Sequence, residues 1–431
     1  MIVIIGGGLT GLLAGYELSK KGFKVVVLEK DTTIGGVLGS IKRKDYYIEK
    51  FYHHIFPQDK EVVDLLHKLK LKNSIIWKNT KTGFYSHNKI YNLSGALDLL
   101  TFNLLSPIEK IKLSLLMLKI KMIKENEIRK YDNIPLTEWI IRNVGENVYN
   151  SFFKPMLKSK YGENLEKISA AWFIERMKIR MHRGLKGEKL GYVLGGFKKI
   201  IQELCYSIEK RGGEILTNAR VKKIYVKNNE VKSLKYNKKI IKVNCIISTV
   251  PPSELLKMLK FPHVYEKKLK SLEYQGCIST VLGLKDKLTD FYWTNIIENN
   301  EYLGAIIEHT NFISPSFYNN EHIIYLASYP DKNSKVWKKS EKEIFKVYFN
   351  ELKKLFPKTK VNIKWWKVCM TKYAGLIYKK GIFSKMLDFK TPINGLFVGG
   401  MFNSYPERSI NHSIVAGKKC SALVEEYLCS H

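Results

Sequence analysis

An α/β protein, in which a parallel-sheet nucleotide-binding domain carries an inserted α+β domain, is what the 431-residue sequence predicts. Three observations lead there. The first thirty or so residues run strand, glycine-rich turn, helix, strand. A second strand, ending in a glycine pair and followed by a helix, appears at 395–427. Between them the texture changes from helical spacing to alternating β-branched and aromatic runs. Hydrophobic residues at 45%, aromatics at 12% and charged residues at 26% exclude a disordered tail, a collagen-like repeat and a small disulfide scaffold. The length asks for two or three structural units.

Residues 2–5 are a short β-branched run, as in a buried parallel strand. Gly6-Gly7-Gly8-Leu9-Thr10-Gly11 follows and satisfies GxGxxG at Gly6, Gly8 and Gly11. Leu12, Leu13, Tyr16 and Leu18 then recur at helical spacing up to the stop at Lys20-Lys21-Gly22. Residues 24–28 read as a second strand, with Glu29 at its end. This is a Rossmann-like unit. Gly6 allows the tight turn, Gly8 lets a pyrophosphate approach the backbone, and Gly11 lets helix and strand pack closely. The helix N-terminus, at Leu9 and Thr10, supplies N–H groups and a positive dipole to phosphates. Glu29, with Lys30 beside it, is placed to meet the ribose hydroxyls.

Asp31-Thr32-Thr33-Ile34-Gly35-Gly36 sets a glycine pair shortly after the acidic strand end. Here the sequence resembles the FAD-binding proteins of the amine oxidase and protoporphyrinogen oxidase superfamily, whose fingerprint extends into such a pair. The resemblance implies FAD as cofactor, with Gly35 and Gly36 against it. Many members have an Arg after the pair, where this chain has Val37. Three later segments carry the same likeness. Tyr192-Val-Leu-Gly195-Gly196-Phe197, with a helix over 198–209, resembles the family's YPxGG motif. Residues 213–226 read as two strands, with Val221 where the backbone usually meets the adenine, and 245–252 resemble the strand and turn leading back to the substrate domain. Gly395 to Met401 is a strand ending in Gly399-Gly400, followed by a helix over 409–427. The resemblance implies that Gly400, Met401, Ser409 and Ile410 close the cofactor site. Met401 stands where an Asp or Arg is common.

These pieces imply a discontinuous FAD domain at 1–50, 190–250 and 390–431. A substrate-binding sheet domain is expected at 51–92 and 251–389, and a helical insertion at 93–189. In the insertion, Leu97, Leu100, Leu104, Ile111, Leu115, Leu118 and Met122 recur at helical spacing. From 276 to 374, alternating runs at 278–284, 291–297, 323–329 and 364–373 read as an antiparallel sheet.

Three groups are candidates for substrate chemistry, and no metal site is expected. Arg176, Arg180 and Arg183 share one face of a helix predicted over 174–182 and gather three of only nine arginines. Guanidinium suits bidentate binding of phosphate or carboxylate, and surface ion pairs are the other reading. Tyr52-His53-His54-Ile55-Phe56 resembles a segment of UDP-galactopyranose mutases whose His before Ile-Phe lies close to the flavin. That alignment makes His54 the candidate catalytic group, tuning flavin N5 or shuttling a proton; a packed, hydrogen-bonded core His is the other reading. Tyr373 and Tyr378, just before the last strand, are candidates for lining the substrate pocket.

The expected function is FAD-dependent oxidoreduction, as an oxidase, dehydrogenase or desaturase, with a hydride passing from an anionic or amphipathic small molecule to flavin N5. Two alternatives are a non-redox nucleotide-sugar mutase and a flavin-binding structural subunit. The formal charge is +33, and 64 of the 73 basic residues are Lys spread along the whole chain. No nucleic-acid motif gives that charge a target, so no nucleic-acid partner is expected. Scattered cysteines without a CxxC pair fit a reducing compartment, and a cytoplasmic location is expected. Lysines flank very apolar runs within 93–125, so that segment is expected either to pack as an ordinary helix or to touch the inner face of a membrane.

Overall fold

The computed structural model describes residues 1–181, 187–298, 300, 302–406 and 409–430. Strands Ile2–Ile5 and Val25–Leu28 are apolar and buried at every position, as central parallel strands are. Five parallel strands form the first sheet, in the spatial order Glu214–Leu216, Val25–Leu28, Ile2–Ile5, Cys245–Ser248, Leu396–Val398. Along the chain that order is 3-2-1-4-5, so the winding reverses beside Ile2–Ile5. A crevice forms at such a switch point, beyond the carboxyl ends of the strands. Helix Leu9–Lys20 packs between helices Lys198–Glu209 and Ile410–Cys429. The crossover from the third strand to the fourth is a three-stranded antiparallel sheet, Val221–Lys227, Glu230–Tyr236 and Lys239–Lys242.

A seven-stranded sheet forms the second layer, in the order Ile363–Leu376, Tyr274–Leu284, His322–Ser328, Ala305–Glu308, Trp293–Ile296, Thr82–Ser86, Lys89–Asn92. Its pairs are antiparallel except Trp293–Ile296 with Thr82–Ser86, which makes the sheet mixed. Between the runs expected at 323–329 and 364–373, where the sequence predicts no element, the chain forms helix Glu341–Leu355. Ser340 starts it with a reciprocal cap: its hydroxyl accepts from Glu343 N (3.3 Å), while the Glu343 carboxylate accepts from Ser340 N (2.8 Å). Ile344, Tyr348, Leu352 and Leu355 bury its inner face.

The helical region includes Pro107–Met122, Leu136–Val144 and Ala170–Arg180. Ser106 and Glu109 cap the first reciprocally, and Pro107 fits its first turn. The helix predicted over 174–182 starts earlier, at Ala170, because Ser169 Oγ accepts from Ala171 N (3.1 Å). Among the described residues, no helix is long and apolar enough to cross a membrane.

Candidate active site

A cavity of about 690 Å³ opens at the switch point, where the first sheet, the antiparallel crossover and the end of the second sheet meet. Its floor is the glycine turn after Ile2–Ile5. A Cβ on Gly11 would stand 2.1 Å from Gly6 O, so only glycine lets the helix close onto the turn. A Cβ on Gly8 would meet nothing within 4 Å, because this position faces the open cavity. Two helices, Leu9–Lys20 and Ile410–Cys429, direct their N-termini at that space through Leu9, Thr10, Ser409 and Ile410. Unpaired N–H groups and a positive dipole at each end favour an anion there.

Glu29 is buried at the mouth of the second strand. Its two carboxylate oxygens accept from Gly7 N (2.8 Å) and Asp31 N (2.9 Å), which ties the glycine turn to the chain leaving the second strand. Each oxygen keeps lone-pair capacity for a further donor. A glycine cradle, an acid beside it and two convergent helix N-termini together fit FAD. Gly6, Gly8, Leu9 and Thr10 would take the pyrophosphate, Glu29 and Lys30 the ribose, Val221 the adenine, and Gly35, Gly36, Gly400, Met401, Ser409 and Ile410 the rest of the cofactor. All of these expected residues line the cavity; Gly11 lies one layer beneath and shapes it.

The substrate residues divide differently. His53 lies on the cavity wall, whereas His54 points behind it. His54 Nδ1 is 3.1 Å from the Tyr292 hydroxyl, and its ring meets Phe56 edge to face at 4.9 Å. Burial pushes its pKa down to about 3, against the pull of Glu188 and helped by Arg180 and Arg176, so this ring is neutral. His54 is therefore packed and hydrogen-bonded behind the wall, and the histidine of this segment that lines the cavity is His53. His53 Nδ1 lies 2.7 Å from Phe51 O. A carbonyl only accepts, so Nδ1 carries the proton and a neutral ring keeps its lone pair on Nε2.

Arg176 and Arg180 do sit together, but behind the same turn rather than on the wall. Arg176 lies 6.0 Å over the Phe56 ring and Arg180 6.0 Å over Trp293. Arg180 Nε is 3.8 Å from Glu188 Oε1. Arg183 falls outside the described residues. Tyr373 lines the cavity, and its hydroxyl is 2.8 Å from Glu254 Oε1. Tyr378 does not: it is fully buried and donates to Ser404 O (3.0 Å), which pins the loop before the last helix.

Sequence reasoning missed Lys50, Phe51, Met370 and Thr371, which share the wall with His53. Lys50 and His53 follow strand Tyr46–Glu49. That strand is anchored by Glu49, which is buried and accepts from Tyr192 OH (2.6 Å) and Phe197 N (2.8 Å). The burial holds its carboxyl above the ordinary range.

Asp59 holds the other end of the His53 turn by accepting from Phe56 N (2.8 Å). Burial raises its pKa to about 6, although that N–H and the Arg176 charge both oppose the rise. A carboxyl raised on folding contributes its stability below the unfolded pKa and loses it as pH climbs through the folded one. Asp59→Asn keeps an acceptor for Phe56 and cannot ionise. It should match wild type near pH 4 and exceed it by about 1–3 kcal/mol at pH 7. Urea unfolding of both proteins between those pH values checks this, and parallel curves would sink it.

Comparison with known proteins agrees with this geometry. Residues 9–424 match the family of flavin containing amine oxidoreductases. A protein assigned as a flavin-containing monoamine oxidase A of Dictyostelium discoideum is 25% identical over 270 residues, which cover 58% of this chain and 57% of that protein. The match thus spans little more than half of that curated relative's length. Among solved structures, a protein assigned as a protoporphyrinogen oxidase from Exiguobacterium sp. 255-15 superposes with a TM-score of 0.79 at 17% identity, over 99% of this chain and 98% of the other. A reduced UDP-galactopyranose mutase gives 0.76 at 15% identity, over 99% and 95%. At such identities the structural likeness establishes the fold.

Proposed function

This chain belongs to the flavin containing amine oxidoreductase family, and from that premise we propose that it is an FAD-dependent oxidoreductase acting on an anionic or amphipathic small molecule. The cavity wall carries the reading. Beyond the nucleotide cradle it presents Lys50, His53, Met370 and Thr371. Among the described residues, the carboxylates that line the cavity are Glu29, Asp31 and Glu254. Glu29 is bonded to backbone N–H groups, and Glu254 is held by Lys257 and Tyr373. A wall of lysine, imidazole, thioether and hydroxyl suits a carboxylate or phosphate beside an apolar body better than an ammonium group.

When bound, FAD supplies a two-electron acceptor at N5. Lys50 would hold the anionic group by charge, and Thr371 would orient it by hydrogen bonding. His53 Nε2 would take the proton released as the substrate is oxidised, with Phe51 O fixing the ring through Nδ1. Arg176 and Arg180 would add positive potential from behind the turn. Tyr373 would close the apolar side.

The test is anaerobic titration of the purified flavoprotein with carboxylate-bearing porphyrinogens, polyprenyl phosphates, polyamines and nucleotide sugars. Bleaching of the flavin by an anionic compound and not by polyamines supports the reading. Bleaching by polyamines alone overturns the substrate class. Turnover of a nucleotide sugar only after dithionite reduction, without net electron transfer, would establish the mutase alternative instead. His53→Ala should slow bleaching by about 10²-fold, and His54→Ala should slow it far less.

A further inference from the structure

The described residues expose fourteen large apolar side chains, and half of them lie between 97 and 122. Helix Pro107–Met122 is apolar on two opposite faces. Leu113, Leu116 and Ile120 bury one face against the other helices. Ile108, Ile111, Leu115, Leu118 and Met122 form the opposite face and are 68%, 60%, 59%, 55% and 74% exposed. At about 100° per residue these five fall within an arc of roughly 80°. Leu97 and Leu100, also exposed, extend the stripe at its N-terminal end, where Lys110 Nζ bonds Leu100 O (2.7 Å). A contiguous apolar stripe of this kind is uncommon on a free surface and marks an interaction site.

Charge selects the occupant. Projected down the helix, Lys112 and Lys119 border the stripe on one side, and Lys110 and Lys121 on the other. Lys112, Lys119, Lys121 and the following Lys124 are exposed. A second copy of the chain would press these lysines against their counterparts, on a protein whose charge is already +33. An anionic bilayer surface takes both parts at once, with acyl chains for the stripe and lipid phosphates for the rims. The helix starts at a reciprocal cap and is anchored through its inner face, so it is preformed for such a contact. We propose that helix Pro107–Met122 docks this protein in the plane of an anionic membrane surface, with Ile108, Ile111, Leu115, Leu118 and Met122 inserted below the headgroups.

Cosedimentation of the full-length flavoprotein with vesicles tests this independently of any turnover. The probes are phosphatidylcholine vesicles and phosphatidylcholine vesicles containing about a third phosphatidylglycerol. Wild type should sediment with the second and not the first, and rising salt should release it. Each Glu in Ile111→Glu/Leu118→Glu should lower partition by about tenfold, since each removes a buried apolar side chain. The pair is already exposed to water, so flavin absorbance and unfolding midpoint should stay at wild-type values. Lys112→Gln/Lys121→Gln should lower partition by roughly fivefold per charge on the anionic vesicles. Wild type left in the supernatant with both vesicles overturns the proposal. So does sedimentation of Ile111→Glu/Leu118→Glu to the wild-type extent. A dimer in vesicle-free solution that this variant converts to monomer would reassign the stripe to a second copy.

Discussion

Gly8→Val should yield a folded protein that does not retain flavin. The new side chain projects into the cavity, where a Cβ meets no protein atom within 4 Å, and the backbone at Gly8 is already in an extended conformation open to any residue. Nothing in the folded chain therefore resists the substitution. The isopropyl group instead occupies the space through which a pyrophosphate reaches the backbone N–H groups of the helix start. Two charge-assisted hydrogen bonds lost at about 1.5–3 kcal/mol each amount to roughly a thousandfold weaker flavin binding. The checks are the absorbance of the purified variant, its affinity for added FAD, and its unfolding midpoint without cofactor. A yellow Gly8→Val protein with wild-type affinity would remove the cradle from the account. A colourless protein with an unfolded circular dichroism spectrum would show that Gly8 serves the fold.

Glu49→Ala should do the opposite and damage the scaffold first. The Glu49 side chain is 1% exposed, and its loss leaves the Tyr192 hydroxyl and Phe197 N–H facing each other across a place water does not reach. Two buried donors without an acceptor cost about 3–5 kcal/mol in total. Tyr325, which donates to Glu49 O (3.1 Å), ties the same residue to the second sheet. The damage should therefore spread to the meeting of the two sheets. Glu49→Gln keeps one acceptor and should lose about half as much. Urea unfolding of the three proteins ranks them. An alanine variant as stable as wild type would mean that neighbouring groups satisfy both donors.

The nucleotide cradle was legible because glycine spacing, strand, helix and acid are constraints carried by consecutive residues. Helix Glu341–Leu355 was hidden for the opposite reason. Phe345, Val347 and Phe349 imitate strand composition, and only Ser340 and Glu343, three apart, signal a helix start. The histidine pair shows a different limit. Successive side chains in an extended segment point to opposite sides, so choosing between His53 and His54 needs the phase of the turn, which Asp59 and Glu49 set from elsewhere in the chain. The arginines were legible as a cluster, but their distance from the wall depends on the packing of Phe56 and Trp293 beneath them.

The spatial order of the parallel sheet also splits the cofactor cradle between distant parts of the chain. Strand Leu396–Val398 and the N-terminus of helix Ile410–Cys429 are the last pieces of a cavity whose first pieces are Gly6 and Gly8. Nearly four hundred residues separate these two halves. Without residues 396–398 and the last helix, the glycine turn would face an open sheet edge and helix Leu9–Lys20 would lack its partner along one side. A cradle divided in this way ties cofactor binding to the closed sheet, so loss of the last strand and helix would remove one wall of the site and expose a strand edge together.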